Sequence, residues 1–90
     1  MSAVARRVTI CNTRGLHARA AAKFVEMAQR FDAEIHVSRD GETVNADSIM
    51  ELLMLAASKG SEIGITTSGE QAEAAADALT ELVEAGFHED

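Results

Sequence analysis

Within RGLHARAAAKF (14–24), two side chains could do chemistry together: His17 and, two residues on, Arg19. An imidazole can act as a nucleophile, and a guanidinium can grip phosphate oxygens in a planar fork. The alanine-rich run that follows His17 has helical spacing, which predicts a helix from Ala18 with His17 at its N-cap. The first turn of a helix offers backbone N–H groups without intrahelical partners and roughly half a positive charge, a ready anion site. The amides of Ala18, Arg19 and Ala20 would therefore face a phosphoryl group carried on a His17 ring nitrogen, and the helix end favours a free lone pair on that ring. The parts for nucleophilic phosphoryl transfer fall in one place. A plain histidine N-cap with no chemistry accounts equally well for the same residues, and the residues alone leave both readings open.

Other chemistries find less support. His36, His88 and the single cysteine Cys11 have no companions at metal-ligand spacing, so no metal and no cofactor is expected. There is no Gly-rich nucleotide loop and no Ser/His/Asp or Cys/His set. Ninety residues make one small domain, 1–90, too thin for a deep pocket, and no second general acid or base stands near His17. An independent enzyme turning over small molecules is not expected.

Charge narrows the partners. The net charge is −7, but seven basic residues face three acidic ones up to Arg39, whereas one lysine faces twelve acids from Asp40 onward. The balance excludes nucleic acid as a partner and puts anion handling in the basic half, which contains His17. One cysteine permits no intramolecular disulfide, Arg6 and Arg7 precede no long apolar run, and no stretch reaches the roughly 20 apolar residues of a membrane span. A cytoplasmic chain without signal peptide or membrane insertion is expected.

The elements that must position His17 follow from periodicity. VARRVTIC (4–11) reads as a strand with Val8 and Ile10 on one face. Ala21, Phe24, Val25 and Ala28 mark one face of a helix over 18–30. AEIHVSR (33–39) alternates as a half-buried strand, and Asp40-Gly41 predicts a two-residue hairpin into ETVNA (42–46). SIMELLMLAASKG (48–60) reads as a helix capped by Lys59-Gly60, EIGITTSG (62–69) as a strand, and 70–86 as a helix with Ala72, Ala75, Leu79, Leu82 and Val83 inward. The order βαββαβα predicts an α/β (α+β) open-faced sandwich, a four-stranded antiparallel sheet with three helices on one face.

Asn12-Thr13-Arg14-Gly15-Leu16-His17-Ala18-Arg19-Ala20-Ala21 resembles the active-site signature N-x-x-G-L-H-A-R-x-A of HPr, the histidine-containing phosphocarrier family of the phosphoenolpyruvate-dependent phosphotransferase system. FDAEIHV (31–37), the Ser48-Ile49-Met50 helix start and Lys59-Gly60 fall in the family's order, while LLML (52–55), SGEQ and the GFHED ending look more like its nitrogen-related NPr branch. The resemblance implies that His17 accepts a phosphoryl group on Nδ1 from enzyme I, with Arg19 assisting, and donates it to a histidine of an enzyme IIA protein, the chain acting as a monomer. Most members have proline where Ala20 stands; alanine restores one N–H in the first turn.

Ser48 supports two readings. Ser48-Ile49-Met50-Glu51 is a capping box, which is the favoured role. The resemblance also implies a regulatory phosphoserine there, modified by an HPr kinase/phosphorylase, although Glu51 would stand close as a like charge. The resemblance further implies a partner-binding patch of Leu16, Lys23, Ile49, Met50 and Leu53, in which Met50 and Leu53 lie on a different side of the helix from Ile49 and Leu52. The alternative function is a regulatory binding module that docks according to its phosphorylation state. The intact His17-x-Arg19 pair favours the phosphocarrier.

Overall fold

The computed structural model describes residues 3–89. Its hairpin forms where Asp40 and Gly41 allow it. Both take a left-handed backbone, φ 50° and 85°, as a two-residue primed turn demands. They join β2 (Glu34–Arg39) to β3 (Glu42–Asn45) in antiparallel register, with Arg39 opposite Glu42 and Val37 opposite Val44. β4 (Glu62–Ser68) pairs antiparallel with β2 on one side and with β1 (Val4–Thr9) on the other, so the strand order is β1-β4-β2-β3.

One sheet face is covered by α1 (Ala18–Ala28), α2 (Ile49–Met54) and α3 (Ala72–Glu84). The strands send Val8, Ile35, Val37, Ile63 and Ile65 into the core, where they meet Phe24 of α1, Leu52 of α2 and Leu79 and Val83 of α3. The other face carries alternating polar residues, Glu34, His36, Ser38, Glu62 and Thr66 among them, none of them buried. The open-faced sandwich expected from the sequence is the fold observed. Among the described residues no helix is long and apolar enough to cross a membrane.

The second helix is much shorter than the sequence suggests. It ends at Met54 with Leu55 as its C-cap, and Ala56 takes a left-handed φ of 52° that an α-helix cannot continue through. Lys59-Gly60 is no helix cap. Gly60 lies in the turn leading to β4, its N–H donating to the Ile10 carbonyl at 2.8 Å. The early ending frees the Ala57 carbonyl, which accepts the Leu16 N–H at 2.8 Å and fastens the loop before His17 to the exit of α2. A final 3-10 turn, Gly86–His88, follows α3, with Gly86 at φ 62° just past the helix as expected.

Candidate functional site

The chain reaches His17 through a tightened loop. Asn12 is buried, and its side-chain Nδ2 donates to the Gly15 carbonyl at 2.8 Å while the Gly15 N–H donates to the Asn12 carbonyl at 3.1 Å. Gly15 has φ 68°, and a Cβ there would lie 2.7 Å from the Ala57 carbonyl oxygen, so only glycine fits. Two residues later His17 is extended (φ −82°, ψ 179°) and serves as the N-cap of α1, as the sequence indicates.

The first backbone bond of α1 runs from the Ala21 N–H to the His17 carbonyl at 2.8 Å. The amides of Ala18, Arg19 and Ala20 therefore have no backbone acceptor among the described residues, and His17 makes no side-chain cap on them. Three donors and the positive end of an eleven-residue helix stand free at the histidine. Arg19 is exposed and makes no ion pair among the described residues, so its guanidinium is available to an anion. Arg19 shares with Thr13, Arg14, Lys23, His88 and Glu89 a cleft of about 330 Å³ beside the histidine.

The far end of the chain completes this site. Phe87 is wholly buried, and the left-handed residues Gly86, Phe87 and His88 turn the chain back over α1. Nζ of Lys23 donates to the Phe87 carbonyl at 2.7 Å, and the carboxylate of Glu89 meets Nε2 of His17 through Oε2. Its other oxygen, Oε1, accepts from Nδ2 of Asn12 at 3.0 Å. The Asn12 hydrogen bond first, then that of His17, holds the Glu89 carboxyl below the usual carboxylate range; the charge of Lys23 adds to this, and partial desolvation opposes it. Glu89 is thus an ionised acceptor, and Nδ1 of His17 is left without a hydrogen-bond partner among the described residues.

Asn12 and His17 belong to the quoted motif, but the sequence reading missed Glu89. Gly86 after α3 signals a reversal, yet nothing in the sequence says that the reversal ends 72 residues back, at the histidine.

The residues expected to form a docking patch are not all exposed together. Leu16, expected among them, is at 6% exposure packed in the core. Lys23 is half-buried and engaged with Phe87. The short α2 turns Ile49 outward together with Met50 and Met54, at 39%, 70% and 72% exposure, while Leu52 is buried and Leu53 is partly buried against the core. Met54 was missed because a helix running to residue 60 obscured where the exposed stripe ends. Ser48 caps α2 by accepting the Glu51 N–H at 3.2 Å, but Glu51 reaches back to the Asn45 N–H, at 3.3 Å, so the reciprocal half of the capping box bridges to β3 instead. No group of three or more metal-ligating side chains able to hold an ion occurs among the described residues.

A family model described as "PTS HPr component phosphorylation site" matches residues 4–85. The chain belongs to the HPr family. It is similar to the phosphocarrier protein HPr of Pseudomonas putida, 50% identical over 86 residues that span 94% of this chain and 96% of that protein. It is also similar to the phosphocarrier protein NPr of Shewanella violacea, 45% identical and covering 99% of this chain and 98% of that protein. Among solved structures, the HPr of Bacillus anthracis superposes with a TM-score of 0.88 at 48% identity, over 92% of this chain and 99% of that one. The open-faced sandwich is therefore the HPr fold, and the chain is a phosphocarrier of the phosphotransferase system.

Proposed function

We propose that residues 1–90 form one phosphocarrier domain that accepts a phosphoryl group on Nδ1 of His17 from phospho-enzyme I and passes it to a histidine of an enzyme IIA protein. The observation that carries this reading is the arrangement at the mouth of α1: among the described residues, three amides have no acceptor beside an imidazole whose Nδ1 has no partner. The Nδ1 lone pair attacks phosphorus, the new P–N bond forms as the donor's P–N bond breaks, and the electron pair returns to the donor's imidazole. Arg19 and the amides of Ala18, Arg19 and Ala20 offset the charge on the phosphoryl oxygens.

The protein works as a cytoplasmic monomer in the nitrogen-related branch of the system. LLML, SGEQ and GFHED support that assignment, as does the similarity to an NPr protein over 99% of the chain. Incubation with phosphoenolpyruvate and a cognate enzyme I, followed by intact mass, tests the reading. One phosphoryl group is expected, lost in acid, stable in base and absent from His17→Ala. An acid-stable adduct, or one that survives the substitution, overturns it.

A further inference from the structure

We propose that Glu89 is a positioning residue for His17: its carboxylate holds the Nε2 edge of the ring so that Nδ1 is presented to phosphorus with its lone pair free. The inference rests on His17 being the phosphorylated residue.

The two oxygens of Glu89 are held separately. Oε2 faces Nε2 of His17, and Oε1 accepts from Nδ2 of the buried Asn12 at 3.0 Å. A carboxylate so engaged cannot swing freely, and an ionised carboxylate can only accept. The ring nitrogen facing it must therefore be the protonated one. In a neutral imidazole that leaves the lone pair on Nδ1, the nitrogen with no partner among the described residues.

The backbone holding Glu89 is built for the purpose. Phe87 is plugged into the core at 0% exposure, Lys23 grips its carbonyl, and the left-handed φ of 57° at Phe87 and 58° at His88 turns the chain back toward the histidine. Two non-glycine residues in that region are strained, and the anchoring contacts hold them there. Asn12 joins both halves of the device, since the same amide group that holds Glu89 also closes the loop at Gly15.

The consequence for transfer is balanced in charge and protons. When Nδ1 bonds to phosphorus, the Nε2 proton stays on the ring, which becomes a phosphorylated imidazolium hydrogen-bonded to the Glu89 carboxylate. No proton has to leave before the step, and the positive ring acquires a counter-ion already in place. In onward donation the P–N electron pair returns to Nδ1, and the ring leaves as the neutral Nε2–H form, held by the same carboxylate.

Glu89→Ala, Glu89→Gln and Glu89→Asp, each in the full chain, test the proposal by two readings. In the unphosphorylated wild type, nitrogen-15 spectra are expected to show a slowly exchanging, hydrogen-bonded Nε2–H on His17, lost in Glu89→Ala. In steady-state transfer from enzyme I, Glu89→Ala and Glu89→Gln are expected to lower kcat about tenfold or more, the low end of what losing a carboxylate that orients a metal-bound imidazole costs, with KM unchanged and partial recovery in Glu89→Asp. Wild-type kcat in Glu89→Ala, or a loss confined to KM, overturns it, as does an Nε2–H that exchanges equally fast in wild type and Glu89→Ala. If the wild type takes up no phosphoryl group, the phosphocarrier reading of His17 fails instead, and the Nε2–H measurement on the unmodified protein still decides the contact.

Discussion

Nζ of Lys23, on α1, donates to the main-chain carbonyl of Phe87 at 2.7 Å, across 64 residues of sequence. A lysine that the family resemblance suggests for partner binding thus ties the helix behind His17 to the closing turn. The bond is half-exposed, so solvent screens part of its strength.

Lys23→Met keeps the aliphatic stem and removes the donor. Chemical denaturation is expected to show a loss of about 1 kcal/mol, the typical net value of one such hydrogen bond. The more telling readout is hydrogen exchange at His88 and Glu89, whose N–H groups donate to Ala85 and Gly86 at 3.1 Å each and should exchange faster once the turn loosens. Unchanged exchange there would show that the buried Phe87 ring holds the turn without help.

Gly15→Ala should be among the costliest single changes in the chain. The residue has φ 68°, and the added Cβ would meet the Ala57 carbonyl oxygen at 2.7 Å and Ser58 Cα at 2.9 Å, both backbone atoms that cannot rotate aside. Left-handed strain and forced displacement together predict a loss of roughly 2–4 kcal/mol in equilibrium unfolding. A loss below about 0.5 kcal/mol, the size of an ordinary surface change, would mean that the α2 exit gives way and the loop is softer than its hydrogen bonds imply.

The Glu89 carboxyl lies below its ordinary value of 4.5, chiefly through the Asn12 hydrogen bond, then through that of His17. A carboxyl lowered on folding stabilises the folded state fully above its unfolded value, and that contribution disappears as pH falls through the folded one. The contacts of the closing turn should therefore hold through neutral and mildly acidic pH and fail only under more acidic conditions. A carbon-13 titration of the Glu89 carboxyl should show a midpoint below 4.5, moving upward in Asn12→Ala. A wild-type midpoint at or above the ordinary value would contradict the bonding described.

Met50→Glu addresses the outward face of α2. With 70% of Met50 exposed, the fold should tolerate the change within about 0.5 kcal/mol. Binding to enzyme I should weaken, because a carboxylate placed within the apolar contact must shed its water. Equal affinity at matched ionic strength would move the docking surface away from Ile49, Met50 and Met54.

Local signals were legible to the degree that their physics is local. The Asp40-Gly41 turn, the start of α1 behind His17 and the inward faces of α1 and α3 depend on neighbours a few residues away, and each is where the pattern puts it. The length of α2 was overestimated because its composition remains helical through Ala57. The helix stops at a left-handed Ala56, beyond which the Ala57 carbonyl serves Leu16. No local pattern encodes that competition. Glu89 was illegible for the same reason: its partners, Asn12 and His17, meet it only through the finished packing of Phe87 and Lys23.

The 72 residues between His17 and Glu89 also impose an order in time. A chain made from its amino end presents His17 and Arg19 early, but β1 has no strand to pair with until β4 is made, and the imidazole has no carboxylate until Glu89 emerges. A product broken off within α3 would carry the whole signature from Asn12 to Ala21 and still leave Nε2 of the ring unheld. Under the proposed function, the ring that takes up phosphate therefore gains its carboxylate only once α3 has been made.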